Sequence, residues 1–303
     1  MTIMGMTRHR ILILPVALLL LVEPLVGCTT NAATGRRQFN SLSRADEIAL
    51  GTRAAPELAA QYGGPVPDAS LQAYVTRVGM SMVPYVEGDY ADLPWEFTLL
   101  ESDVLNAFAL PGGKVFITRG LAEKLDNEAE MAGVLGHEIG HVTAEHADKR
   151  ISSQYIAAGA AVLVGIAVKD DDRDWVRIGM PILVGAGSQG FLLKFGRDEE
   201  LESDRLGMRY MSRAGYDPAG QLGVMKILAQ ASKGPRQPEF LSTHPYPQTR
   251  IRAIEKKLRN KYRNTQGERY ESRYRSEFLS KLAALLTLNY TIAQSDQTPC
   301  SGE

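Results

Sequence analysis

The sequence predicts an α+β fold, mainly helical with one small β-sheet, and three observations carry that expectation. Apolar residues recur at helical spacing through most of the chain, whereas Trp95 to Leu100 and the stretch 106–121 alternate as strands do. The longest helical segment, Asn127 to Arg150, is apolar on nearly every side yet holds three of the chain's five histidines. With 303 residues, 44% of them hydrophobic and 23% charged, the composition suits a globular protein with a sizeable core. A formal net charge of -1 gives no basis for nucleic-acid binding.

The amino end reads as a targeting segment. Arg8, His9 and Arg10 precede an apolar run from Ile11 to Val22, too short for a membrane span of about 20 residues, so residues 1–27 are expected to be a removable signal peptide. The run closes on "LVGC", which resembles a bacterial lipobox, and Cys28 is then the lipid-carrying first residue of the mature protein. Thr29 stands where an aspartate would signal inner-membrane retention, which implies the outer membrane, facing the periplasm. With Cys28 acylated, Cys300 in the polar tail has no disulfide partner.

Residues 28–40, small and polar without periodicity, are expected to be a lipid-anchored tether, followed by the main domain over 41–262. Ser43, with acidic residues three and four positions on, starts a helix, and Leu71 to Val83 forms a second. "NAFALPGGKVFITRGL" reads as two short strands around a Pro-Gly-Gly turn. The long helix 127–150 follows. The apolar runs 155–168 and 178–193 flank the acidic "KDDDRD" and read as core helices or an interfacial hairpin. Further helices are expected over Arg197 to Met211, Ala219 to Ala231 and the basic stretch 249–262, with "LSTHPYPQTR" as the preceding loop. Residues 263–303 are expected to hold one helix near 277–288 and a flexible tail, and no repeat is visible along the chain.

Chemistry concentrates in "HEIGHVTAEH". His137 and His141, four residues apart on a helix, project from one face and can share a Zn²⁺ ion, with Glu138 beside them to reach a metal-bound water. Burying imidazoles in an apolar helix is expensive unless they are hydrogen-bonded or coordinate a metal. Gly133, Gly136 and Gly140 on a neighbouring stripe point to close packing around the site. Extrapolated along the helix, His146 faces the opposite side and cannot join the pair. Ala144 and Ala147 exclude the longer three-histidine metzincin motif. The third ligand is sought in "RDEELESDRLG", where Glu200 would bind the metal and Asp204 would orient a ligating histidine, with Glu199 and Glu202 as rivals.

"NAFALPGGKVFITRGL", "HEIGHVTAEH", "EELESDRLG" and "STHPYPQTR", in this order, resemble the HtpX/Oma1-type gluzincin metalloproteases of metallopeptidase family 48. The likeness covers about residues 40 to 260 and is nearest to the periplasmic lipoprotein branch of the LoiP and BepA type, without the tetratricopeptide domain. The resemblance implies a zincin-like metalloprotease domain whose edge strand flanks the active-site helix. By the same likeness the metal ligands are His137, His141 and Glu200, the general base is Glu138, and one Zn²⁺ is bound per chain. Ser203 replaces the alanine usual before the aspartate. It further suggests His244 as oxyanion donor or as an inhibitory zinc ligand. Arg250 supports the site or caps its own helix. Asn106, Ala107 and Phe108 are expected on a strand edge that pairs with extended substrate. The implied function is a zinc endopeptidase acting on misfolded or unassembled envelope polypeptides in periplasmic quality control. The alternative is a lipoprotein chaperone or assembly factor for outer-membrane proteins that cleaves rarely.

Overall fold

The computed structural model describes residues 28–153, 194–235 and 237–295. The expected leader 1–27, the apolar runs 155–168 and 178–193 with the acidic loop between them, and Cys300 lie outside the described residues. None of the described helices is long and apolar enough to cross a membrane.

The domain is layered around a three-stranded sheet with strand order β3 (Glu96–Leu100), β5 (Lys114–Thr118), β4 (Ala107–Leu110). β3 runs parallel to β5 and β4 antiparallel to it. The turn between β4 and β5 needs glycine: Gly112 has φ +75°, and a Cβ there would lie 2.6 Å from the Ile48 Cα. Alternation along the strands sends Phe108, Leu110 and Phe116 to one face and Ala107, Val115 and Ile117 to the other.

The first face is covered by α1 (Arg44–Gln61), which opens with the anticipated capping box, Ser43 and Asp46 each accepting the other's backbone N–H. Leu50, Ala54 and Leu58 of α1 pack against the phenylalanines. The second face carries α2 (Ala69–Met80) and α3 (Glu128–Thr143). Every residue of α3 is buried, which is why its sequence lacks a polar side. Beyond α3 lie α4 (Arg197–Arg213) and α5 (Gly220–Ala231), and α6 (Pro247–Asn260) packs against both.

Three sequence expectations change. The helix expected over 127–150 stops at Thr143; Glu145 adopts φ 54°, and helical conformation resumes over residues 146–153. Residues 28–40, expected as a tether, fold into an antiparallel pair, β1 (Cys28–Thr30) and β2 (Arg37–Phe39). Glu145 explains both. Its carboxylate accepts from the amides of Asn31, Gln38 and Asn40 and faces Arg44, offsetting the backbone strain of a left-handed glutamate. Asn31 also donates to the Thr143 carbonyl at 2.9 Å, satisfying an end of α3. The third change concerns the carboxy-terminal segment. It runs helically from Glu271 through α7 (Ser280–Ser295), and Tyr274, Phe278 and Leu282 enter the main core. Burying each of these adds roughly 1.5–3 kcal/mol. Nearby, the buried Glu128 carboxylate accepts from Tyr74, Tyr216, Arg77 and Arg273, tying this segment to the start of α3.

Candidate metal centre

Small residues bring two helices into backbone contact. A Cβ added at Gly207 of α4 would lie 2.8 Å from the Gly136 carbonyl carbon and 2.9 Å from the His137 nitrogen. One added at Gly140 would lie 2.9 Å from the Ser203 carbonyl oxygen. The glycine stripe on α3 is therefore a seat for α4, and Ser203 is small because it occupies that seam. The contact sets His137 and His141 opposite Glu200 and Asp204.

His137, His141, Glu200 and His244 each offer one ligand atom within 4.8 Å of all the others, and all four are buried. His137 Nε2 lies 3.0 Å from His141 Nε2 and 3.3 Å from His244 Nδ1, while Glu200 Oε1 lies 3.4 Å from His141 Nε2 and 3.0 Å from His244 Nδ1. Four donors about 2.05 Å from a central ion at tetrahedral angles are separated by about 3.3 Å, so the cluster has the dimensions of a tetrahedral metal site. Nitrogen donors with one carboxylate also suit the chemistry of a divalent transition metal.

Glu138 is fully buried, and among the described residues neither of its carboxylate oxygens has a hydrogen-bond partner. His244 Nε2 lies 3.7 Å from its Oε1. Burial pushes its carboxyl up, against the pull of His244 and His137. For Glu200, burial would also raise the carboxyl, but the charges of His244 and Arg250 and the bonds from the histidines hold it well below the usual carboxylate range. Burial and Arg250 act to lower His137, yet Asp204 and Glu200 outweigh them and raise it to about 9. The carboxylates thus call for positive charge at the centre of the cluster.

Asp204 stands behind His137, 3.0 Å from Nδ1, and accepts from Arg250 Nε at 2.8 Å and from Gln221 at 2.8 Å. Burial alone would raise Asp204, but Arg250 and His137 hold it down at about 2. Arg250 is fully buried and reaches Glu200 as well, its Nη1 lying 2.7 Å from Oε2 in ion-pair contact outside hydrogen-bond geometry. It clamps Glu200 and Asp204 of α4. The rival carboxylates are engaged elsewhere: Glu199 accepts from Gly196 N and Lys149, and Glu202 pairs with Arg36 and Arg205.

His146 was expected on the opposite side of the helix and is instead buried against the cluster, its Nδ1 2.9 Å from His141 Nδ1. The break at Glu145 turns it back. Phe195, which sequence reasoning missed, lies with its ring centroid 3.9 Å from that of His141 and shields it from solvent.

Asn106, Ala107 and Phe108 lie on or beside the edge strand, but their side chains are committed to the interior. Asn106 donates to Tyr62 and Glu239 and accepts from Ala107 N–H, and Phe108 stacks on Phe116 at 4.8 Å. Thr118 N bonds to Asn106 O, so by antiparallel alternation Ala107 and Ala109 turn their backbone groups outward. With Ala107 N–H occupied, the part of the edge left open by the described residues centres on Ala109. That residue lines a small cavity with Pro111, His141, Glu145 and Phe195.

Residues 69–258 match the family model described as peptidase family M48. The chain is 32% identical over 194 residues to the beta-barrel assembly-enhancing protease of Escherichia coli (strain K12), covering 61% of this chain and 38% of that protein. It is 33% identical over 238 residues to the mitochondrial metalloendopeptidase OMA1 of Schizosaccharomyces pombe, covering 74% of this chain and 65% of that one. For the corresponding OMA1 of Saccharomyces cerevisiae the identity is 29% over 240 residues, with 74% and 67% covered. The chain thus spans about two fifths of the bacterial relative it matches.

Proposed function

The chain belongs to peptidase family M48, and from that premise we propose that it is a zinc-dependent endopeptidase. Its substrates are misfolded or unassembled envelope polypeptides, and it acts from the periplasmic face of the outer membrane, anchored through lipid on Cys28. The observation that carries the enzymatic reading is the fully buried Glu138 carboxylate, without a hydrogen-bond partner among the described residues, beside four convergent donors. An isolated carboxylate in that position is unfavourable unless it has a proton to take.

His137, His141 and Glu200 would hold the zinc ion, which when bound polarises a carbonyl and lowers the pKa of water. Glu138 takes the proton from the attacking water and returns it to the leaving amine. Asp204, fixed by Arg250 and Gln221, holds His137 in the tautomer that leaves Nε2 free for the ion. The placement of His244 Nδ1 among the ligand atoms favours the second of its two expected roles. As a fourth donor it would complete a closed site at rest, and substrate and water would need it withdrawn. An extended chain pairs with the β4 edge at Ala109, a main-chain mode that suits unassembled polypeptides.

A second reading, an assembly factor for outer-membrane proteins with rare cleavage, is favoured by the name of the Escherichia coli relative. Digestion of casein by the purified protein separates the two. Wild type is expected to cleave, chelated protein and Glu138→Gln to lose at least ~100-fold in rate, and Glu138→Gln to retain its zinc. Equal cleavage by all three would remove the protease assignment.

A further inference from the structure

The site has a second buttress that mirrors the Asp204 support of His137, and it rests on His146. With Nε2 turned to the cluster, a neutral His141 carries its remaining proton on Nδ1. The atom that receives it is His146 Nδ1, 2.9 Å away. His146 then carries its own proton on Nε2, which points to Glu202 Oε2 at 3.3 Å. Glu202 is itself paired with Arg36, from the turn leading into β2, and with Arg205, two cations that suit it to accept at this end. Every donor along this line meets an acceptor, so one set of tautomers satisfies the whole chain of contacts.

We propose that His146 is a positioning residue for the metal ligand His141, linking it through Glu202 to Arg36. This rests on the metal-site reading above and adds to it the support of the second histidine. The geometry is specific. His146 is fully buried, Ser203 Oγ lies 3.4 Å from its Nδ1, and Phe195 closes over both rings. It reaches this place through the left-handed Glu145, held by amides of the segment 31–40. A carboxylate or carbonyl usually fills the role behind a ligating histidine; here a second imidazole passes the contact on to a carboxylate.

The test is zinc affinity of the full chain, measured by competition with a chromogenic chelator, together with the visible spectrum of the Co²⁺-substituted protein. His146→Phe keeps the ring volume and removes the acceptor, and is expected to weaken zinc binding ~10–100-fold and to shift the Co²⁺ bands. His146→Asn places an oxygen near the former Nδ1 and is expected to recover most of that loss. Glu202→Gln, at the outer end and partly solvated, tests the same line without disturbing the core and should give an intermediate weakening. The inference is overturned if wild type binds zinc while the Phe and Gln variants bind it equally well. It is equally overturned if Asn weakens binding as much as Phe and both do so in step with lost stability of the zinc-free chain. A wild-type chain that takes up no zinc would instead sink the metal-site reading, and this inference with it.

Discussion

Substituting Gly207 by alanine should damage the proposed metal site without touching a proposed ligand. The added Cβ would sit 2.8 Å from the Gly136 carbonyl carbon and 2.9 Å from the His137 nitrogen. Carbon atoms in contact need about 3.5 Å, so α3 and α4 must part by roughly 0.7 Å along that line. Backbone is on both sides of the contact, so no rotamer change relieves it. Overpacking of this kind costs about 1–3 kcal/mol of stability. The consequence for the ion is sharper, because Glu200 rides on α4 and the histidines on α3, and metal sites tolerate ligand displacements of only about 0.2 Å. Zinc affinity should therefore fall by at least ~10-fold. Denaturant unfolding of the zinc-free chain and chelator competition on the folded one measure the two effects. Gly133→Ala is the comparison: its Cβ would meet Gln221 at 3.2 Å, a contact that must give by only a few tenths of an ångström, and alanine gains up to ~1 kcal/mol of helix propensity. Its zinc affinity should fall less than that of Gly207→Ala, because Gln221 reaches the site only through Asp204 and His137. A Gly207→Ala protein with unchanged zinc affinity and unchanged stability would refute the idea that the glycine seam sets the ligand geometry.

His244→Ala should bind zinc more weakly while keeping or gaining cleavage, as expected for a donor that closes the site at rest; unchanged zinc affinity with a ~100–1000-fold loss of cleavage would mark an oxyanion donor instead. Asp148 gives a pH test away from the ligands. Burial raises its carboxyl to about 6, partly opposed by the Ser152 hydrogen bond and reinforced by Glu145. At this position the folded chain therefore holds a proton that the unfolded one has lost between about pH 4 and about pH 6, and the contribution of Asp148 to stability falls as pH rises through that window, then levels off. Asp148→Asn should flatten that fall and be more stable than wild type at neutral pH by at most about 3 kcal/mol. Identical stability profiles for the two proteins would show that the buried carboxyl carries no such penalty.

The central site was legible because its signals are local. His137 with His141, and Glu200 with Asp204, are each four residues apart on helices, and such spacing survives folding. The glycine stripe announced close packing, though not its partner. His146 was misplaced because Thr143, Ala144 and Glu145 carry no glycine or proline to mark a break. What ends α3 is Glu145 captured by amides more than a hundred positions away, a tertiary effect that overrides local preference. The same distance hid the order of residues 28–40, whose Asn and Gln side chains look like those of a flexible segment until their acceptors are known. Tyr274, Phe278 and Leu282 did carry a visible helical period. What the sequence left out was that the period faces Tyr74 and the start of α3, not solvent.

The fastening of β1 and β2 to Glu145 sets a practical limit on where recombinant versions of this protein can begin. Trimming to Ser41 looks harmless on paper, since the discarded stretch is polar and precedes the first long helix. It would strip three amide donors from one buried carboxylate and leave the Thr143 carbonyl without the Asn31 amide. Such a shortened product would be a poor standard for enzymology, and a start at residue 28 or 29 keeps the protein whole where it matters.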